Sequence, residues 1–107
     1  MFTASDLDNA IIMAKGDYGV ALPFSFSGPT FTPADELKLT VKNAAGEVVL
    51  EKVYSNIQDN RISVELTSEE SALMPPGNYI YGIDWYQNGV FQCNLLPVSR
   101  WAVMNKV

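Results

Sequence analysis

The chain has 107 residues, 48% of them hydrophobic and 18% charged, with a net charge of −5 and a pI near 4.4. That length suits one domain burying about 65% of the surface its unfolded form exposes, and no apolar run approaches the roughly 20 residues of a membrane-spanning helix. The acidic balance and seven scattered basic residues weigh against phosphate-driven nucleic-acid binding, and Cys93 alone can form no internal disulfide.

The first fifteen residues place two acids before a short apolar patch, the wrong charge order for a secretory signal, so either the protein stays inside the cell that makes it or a signal has been trimmed, and the single cysteine fits an intracellular site of assembly better. Residues 1–10 are read as a loosely ordered N-terminal segment and 11–107 as a single β domain. Ile11 to Ala14 reads as a short strand ended by Lys15-Gly16-Asp17. Val20 to Phe26 is a second strand, and Pro23 within it cannot donate to a ladder, which sends it to an edge or a bulge. Two turn signals, Ser27-Gly28-Pro29-Thr30 and Thr32-Pro33-Ala34-Asp35, bracket Phe31.

Leu37 to Lys42 alternates cleanly, with Leu37, Leu39 and Val41 inward and Lys38, Thr40 and Lys42 outward. Asn43 to Gly46 makes a hairpin loop and Glu47 to Tyr54 the return strand, whose register stays open. Arg61 to Leu66 is another half-buried strand. Thr67-Ser68-Glu69-Glu70 has capping-box spacing, so Ser68 to Leu73 is expected to make one helical turn before Pro75 and Pro76 stop it.

Tyr79 to Tyr86 is dense in aromatic and β-branched residues and stops at Asn88-Gly89, the pair suited to a type I′ hairpin turn. Tyr79, Tyr81, Ile83 and Trp85 share the expected core face, and Ile80, Gly82, Asp84 and Tyr86 the other. Val90 to Leu96 folds back against this strand. Pro97 is expected to end it, with Val98 to Val103 forming a separate last strand. Seven or eight short strands with one helical turn predict an all-β fold, an immunoglobulin-like antiparallel β-sandwich, with a partly open barrel as the alternative. Pro76, Gly77 and Tyr79 are compatible with a tyrosine corner, in which the hydroxyl bonds backbone a few residues upstream; otherwise Tyr79 is simply a core aromatic.

The chain has no histidine, the commonest general base and metal ligand, so neither catalysis nor a cofactor or metal is expected. Cys93 reads as a small buried hydrophobe. Asp6, Asp8 and Asp17, or Asp35 with Glu36, lack the glycine-centred spacing of a calcium loop and read as solvated loop acids. Asp84 is expected to form a surface ion pair across the sheet. The glycines at 16 and 77 are turn glycines, not phosphate loops. Trp85, Tyr86, Phe91 and Trp101 lie on neighbouring strands, and any that are exposed offer a contact for a partner or a sugar.

Gly16-Asp17, Leu37-x-Leu-x-Val-Lys42, Leu66-Thr67-x-x-x-Ser71-x-Leu73 and Pro76-Gly77-x-Tyr79-x-Tyr81-x-Ile83, in this order and spacing, resemble the N-terminal domain of phage baseplate upper proteins and related small phage tail structural proteins. The chain departs from that pattern at Ser71, where threonine after aspartate is usual, and at Gly82, where aspartate is. The resemblance spans Ile11 to Val103. It implies a β-sandwich that attaches within a tail, baseplate or fibre, hence a virion component made in the bacterial cytoplasm. Its partners would be other phage structural proteins or copies of itself, without nucleic acid or membrane. With no fibre-forming or receptor-binding domain read after the sandwich, a host-binding role is not expected. A second function class is a carbohydrate-binding or adhesin-type module, with Trp85 and Tyr86 as stacking surface and Asp84 or Asn88 as hydrogen-bonding groups.

Overall fold

The structure, a computed structural model, describes residues 3–4, 10–19, 21–26 and 31–105. In chain order its elements are β1 (Thr3–Ala4), β2 (Ile11–Ala14), β3 (Leu22–Ser25), β4 (Asp35–Lys42), β5 (Val48–Ser55), β6 (Arg61–Val64), α1 (Ser68–Ala72), β7 (Gly77–Gln87) and β8 (Val90–Met104). The fold is all-β. The first turn signal, residues 27–30, and Val20 at the head of the second expected strand lie outside the described residues, as do Asp6 and Asp8.

A six-stranded sheet runs β1-β2-β8-β7-β4-β5, and β3 pairs with β6 in a two-stranded sheet. β7 holds the large sheet together because it pairs with β4 on one side and β8 on the other along nearly its whole length. The even beat of period two then decides everything about its faces. Tyr79, Tyr81 and Ile83 are buried on the inner face, while Ile80 on the outer face is 42% exposed. β4 alternates in step, with Leu37, Leu39 and Val41 fully buried. The two-stranded sheet contributes Phe24, Ile62 and Val64 to the same core, joined by Leu66 and Met74. Rings lock the centre, since Tyr81 meets Trp101 edge-on at 5.6 Å and Phe24 at 6.3 Å. Among the described residues the proline-bearing β3 has β6 as its one strand neighbour, an edge position that suits the missing Pro23 N–H.

Three sequence expectations change. β2 runs parallel to β8, from Ile11 opposite Trp101 to Ala14 opposite Met104, so the sheet is mixed rather than wholly antiparallel. No hairpin joins these two strands, so nothing local forces them to oppose. Thr3–Ala4 pair with Ile12 and Ile11, which ties that part of the N-terminal segment into the sheet instead of leaving it loose. Pro97 does not end a strand: β8 is one strand of 15 residues. Its register against β7 shifts three times, between Tyr81 and Ile83, between Ile83 and Asp84, and between Trp85 and Tyr86. Pro97 and Val98 stand opposite the single residue Gly82, and a bulge is where a residue without an N–H is tolerated in a paired strand.

The turns follow from their residues. Asn88 and Gly89 both take positive φ, 52° and 77°, the requirement of a type I′ turn. Thr67 caps α1 through its side chain, and the Glu70 carboxylate accepts from the Thr67 N–H at 2.8 Å, completing the capping box. Lys52 on β5 bonds the same Glu70 at 3.0 Å and donates to the Glu65 carbonyl, fastening the edge of the large sheet to the helical turn. Burial pushes the Glu70 carboxyl up, but the Thr67 amide and the Lys52 ammonium outweigh it and hold the group below its ordinary value. Burial, with the Glu70 charge second, pushes the Tyr54 phenol up to about 12.

Ile83 is fully buried at the centre of β7. Ile83→Ala is therefore expected to cost about 2 to 5 kcal/mol in denaturant unfolding, the range for large-to-small core changes. A loss under about half a kcal/mol would contradict this placement of the core.

Candidate functional site on the outer sheet face

One face of the six-stranded sheet packs on the core, and the other presents the outward residues of β4, β7 and β8. Register fixes their neighbours. Lys42, Ile80 and Arg100 form one row, Thr40 and Gly82 the next, Lys38, Asp84 and Asn94 a third, and Glu36, Tyr86 and Phe91 a fourth. Glycine at 82 removes a side chain from the middle of this array. The result is a trough of about 200 Å³, lined by Thr40, Lys42, Ile80, Gly82, Asp84, Asn94 and Val98 and by the strand at Tyr81.

The trough has chemically distinct walls. Ile80 and Val98, 42% and 68% exposed, make an aliphatic side. Across from them Asn94 Nδ2 donates to Asp84 Oδ1 at 2.7 Å. Lys38 stands opposite Asp84 in register but its ammonium lies 3.5 Å from Glu51, so the ion pair expected for Asp84 is replaced by an amide hydrogen bond. This follows from competition between acids: a flexible, exposed lysine gains little from either carboxylate, and Asn94 already satisfies one oxygen of Asp84.

Of the residues singled out in the sequence, Asp84 and Tyr86 share the outer face, whereas Trp85 points to the inner one. The Trp85 indole donates to Asp35 Oδ1 at 2.9 Å and packs edge-on against Phe31 at 5.6 Å. Trp85 and Tyr86 therefore do not form one stacking surface. The Tyr86 ring meets Phe91 edge-on at 5.8 Å, and Asn88 sits at the hairpin turn with its N–H on the Ala34 carbonyl. Pro76 and Gly77 lead into β7, and the Tyr79 hydroxyl donates to the Pro75 carbonyl four residues upstream. Cys93 is exposed rather than buried: it lies opposite Trp85 near the hairpin end, past the last fully buried residue of β7.

Two residues escaped the sequence reading. Asn94 is two places from the buried Leu96, and strict alternation would put both on the core face. The register shift at Leu95 turns Asn94 outward to face Asp84. Asp35 looked like a loop acid and is fully buried. Its carboxylate accepts from the Thr32 N–H at 2.6 Å, from the Thr32 hydroxyl at 3.2 Å and from Trp85. The Thr32 amide first, then the Trp85 indole, hold it below the ordinary value of 3.8 against the opposing effect of burial. Thr32-Pro33-Ala34-Asp35 had been legible as a turn, but the indole that reaches it comes from 50 residues away. Among the described residues no group of three histidine, cysteine, aspartate or glutamate side chains could hold a metal ion.

No family model matches the chain, and no curated protein or solved structure is similar to it, so a functional reading rests on the geometry and the sequence.

Asp35 also gives a pH test. A carboxyl held below its unfolded value contributes stability above about pH 3.8, and that contribution is lost as pH falls through the lower folded value. Asp35→Asn, which keeps the shape but loses the charge, should lower the melting temperature most near neutrality, with the gap to wild type closing in acid. A gap independent of pH would mean that the charge on Asp35 does not stabilise the fold.

Proposed function

We propose that this chain is a non-enzymatic assembly module, working as part of a multimer, and that its architecture is an immunoglobulin-like sandwich. The observation that carries the reading is an apolar patch at the end of the β7–β8 hairpin. On the outer face Val53 and Phe91 are 60% and 53% exposed, with Tyr86 against Phe91. Val53 and Tyr86 line one shallow depression together with Glu36, Lys38 and Gly89. Contiguous exposed apolar side chains rimmed by charges suit a surface that another protein covers. Edges add a second means of joining. β5 ends the large sheet with eight residues paired on one side, and an edge strand of that length can accept a neighbour's backbone.

The sequence resemblance to phage baseplate and tail proteins points to a virion as the assembly, and the net charge of −5 suits a subunit that must stay soluble until it docks. The sandwich reading is supported by two sheets packing on one core and by the Tyr79–Pro75 hydrogen bond at the entry to a late strand. The absence of histidine from the sequence favours a role without catalysis, since it leaves the exposed Cys93 no histidine to activate it.

Light scattering at micromolar concentration is expected to detect self-association, or a pull-down with the products of neighbouring genes a partner, through an interface of at least ~1,000 Å² in total. Phe91→Glu should abolish that association while leaving the melting temperature within a degree or two, because the ring is half in solvent. A strict monomer that captures no particle component would refute the assembly reading.

A further inference from the structure

Gly82 stands opposite the two-residue bulge at Pro97 and Val98, but nothing in its own backbone or surroundings demands a glycine. Its φ does not lie in the left-handed region, and a Cβ built there would make ordinary contacts, 3.4 Å to the Leu96 carbonyl and 3.7 Å to the Asn94 amide. Glycine inside a central strand weakens it through chain entropy and lost packing, and it often marks a bulge or a place where something else approaches the backbone. The structure offers such an approach. The absent side chain is the floor of the outer-face trough, about 200 Å³ in volume, below the roughly 300–1,000 Å³ of clefts that enclose drug-sized ligands. It has room for one ring, not for a folded segment.

The lining dictates the chemistry of that ring. Asp84 Oδ2 and Asn94 Oδ1 are left as neighbouring acceptors once Asn94 Nδ2 has bonded Asp84 Oδ1. The Thr40 hydroxyl both donates and accepts, and the Lys42 ammonium only donates. None of these four groups has a protein partner among the described residues. Ile80, beside Lys42 in its row, and Val98 add methyl groups on the side away from Asp84 and Asn94. A purely apolar ligand would strip water from four polar groups without replacing their hydrogen bonds, and a polyanion would meet the Asp84 carboxylate. The matching solute is uncharged, carries several adjacent hydroxyls, and has a C–H face.

We propose that the trough around Gly82 binds one neutral pyranose unit of a saccharide. Asp84 and Asn94 accept from vicinal hydroxyls, Thr40 and Lys42 bond the far edge, and the C–H face of the ring rests on Ile80 and Val98. Tyr86, one position beyond Asp84 on the same face, lies where a second unit would extend. The trough adjoins the assembly patch at Tyr86, but Tyr86 is not among the residues that line it, and binding of a single unit does not depend on the patch.

The test is a titration of isotope-labelled protein with glucose, galactose, mannose and N-acetylglucosamine, followed by amide and side-chain NMR shifts. At least one sugar is expected to give saturable shifts at Gly82, Asp84 and the Asn94 side chain, with affinity in the millimolar range. Gly82→Ala should weaken binding roughly tenfold without lowering the melting temperature. Should that variant be unstable, Asn94→Ala removes an exposed acceptor with no core contact and should give the same loss. Absence of saturable shifts with all four sugars would overturn the proposal. So would shifts that survive both substitutions, or a trough that ignores sugars and responds instead to a polyglutamate peptide through Lys42 and Arg100.

Discussion

β7 is hydrogen-bonded on both sides, and its residues cannot change face without breaking two ladders at once. A slip of one residue would expose Tyr79, Tyr81 and Ile83 together and bury Ile80, Asp84 and Tyr86. With each large apolar side chain worth about 1.5 to 3 kcal/mol on burial, such a slip would consume most of a domain's net stability. The register of β4 and β8, the placement of the core and the composition of the outer face all follow from that constraint. The capped turn and the Lys52–Glu70 contact hold the small layer in place over it.

The ladder between β7 and β8 is regular at its two ends and irregular between them. The three shifts all add residues to β8, and each extra residue reverses which side chains face the core. One consequence is structural, since the chain passes Pro97 without losing the sheet. Another is chemical. Asn94 is delivered to Asp84, Val98 is presented outward beside Ile80, and Gly82 is left opposite two residues instead of one.

Electrostatics act at different strengths on the two faces. Lys38 and Glu51 are both partly exposed and 3.5 Å apart, a pair of the kind worth about 0 to 1 kcal/mol. Asp35 is different because it is removed from water, and a buried carboxylate is tolerated only when donors replace its hydration. Thr32 and Trp85 supply them, and in doing so fix the loop before β4 against the end of β7. The aromatic that looked suited to a partner is thereby committed to the interior.

The sequence by itself determined the all-β class, the alternation of β4, the faces of β7, the Asn88-Gly89 turn and the Thr67–Glu70 capping box. Each depends on period two or on the φ and hydrogen-bonding preferences of residues a few places apart, which are local properties of the chain. Tertiary structure alone decided the rest. The parallel pairing of β2 with β8 and the union of β3 with β6 join segments far apart in sequence, where no turn dictates direction. Asp84 and Asn94 were visible as polar residues, but only the bulge at Leu95 places them face to face. Asp35 could not be told from a solvated acid until the Trp85 indole reached it, because the donor that makes burial tolerable lies on a strand brought there by the fold.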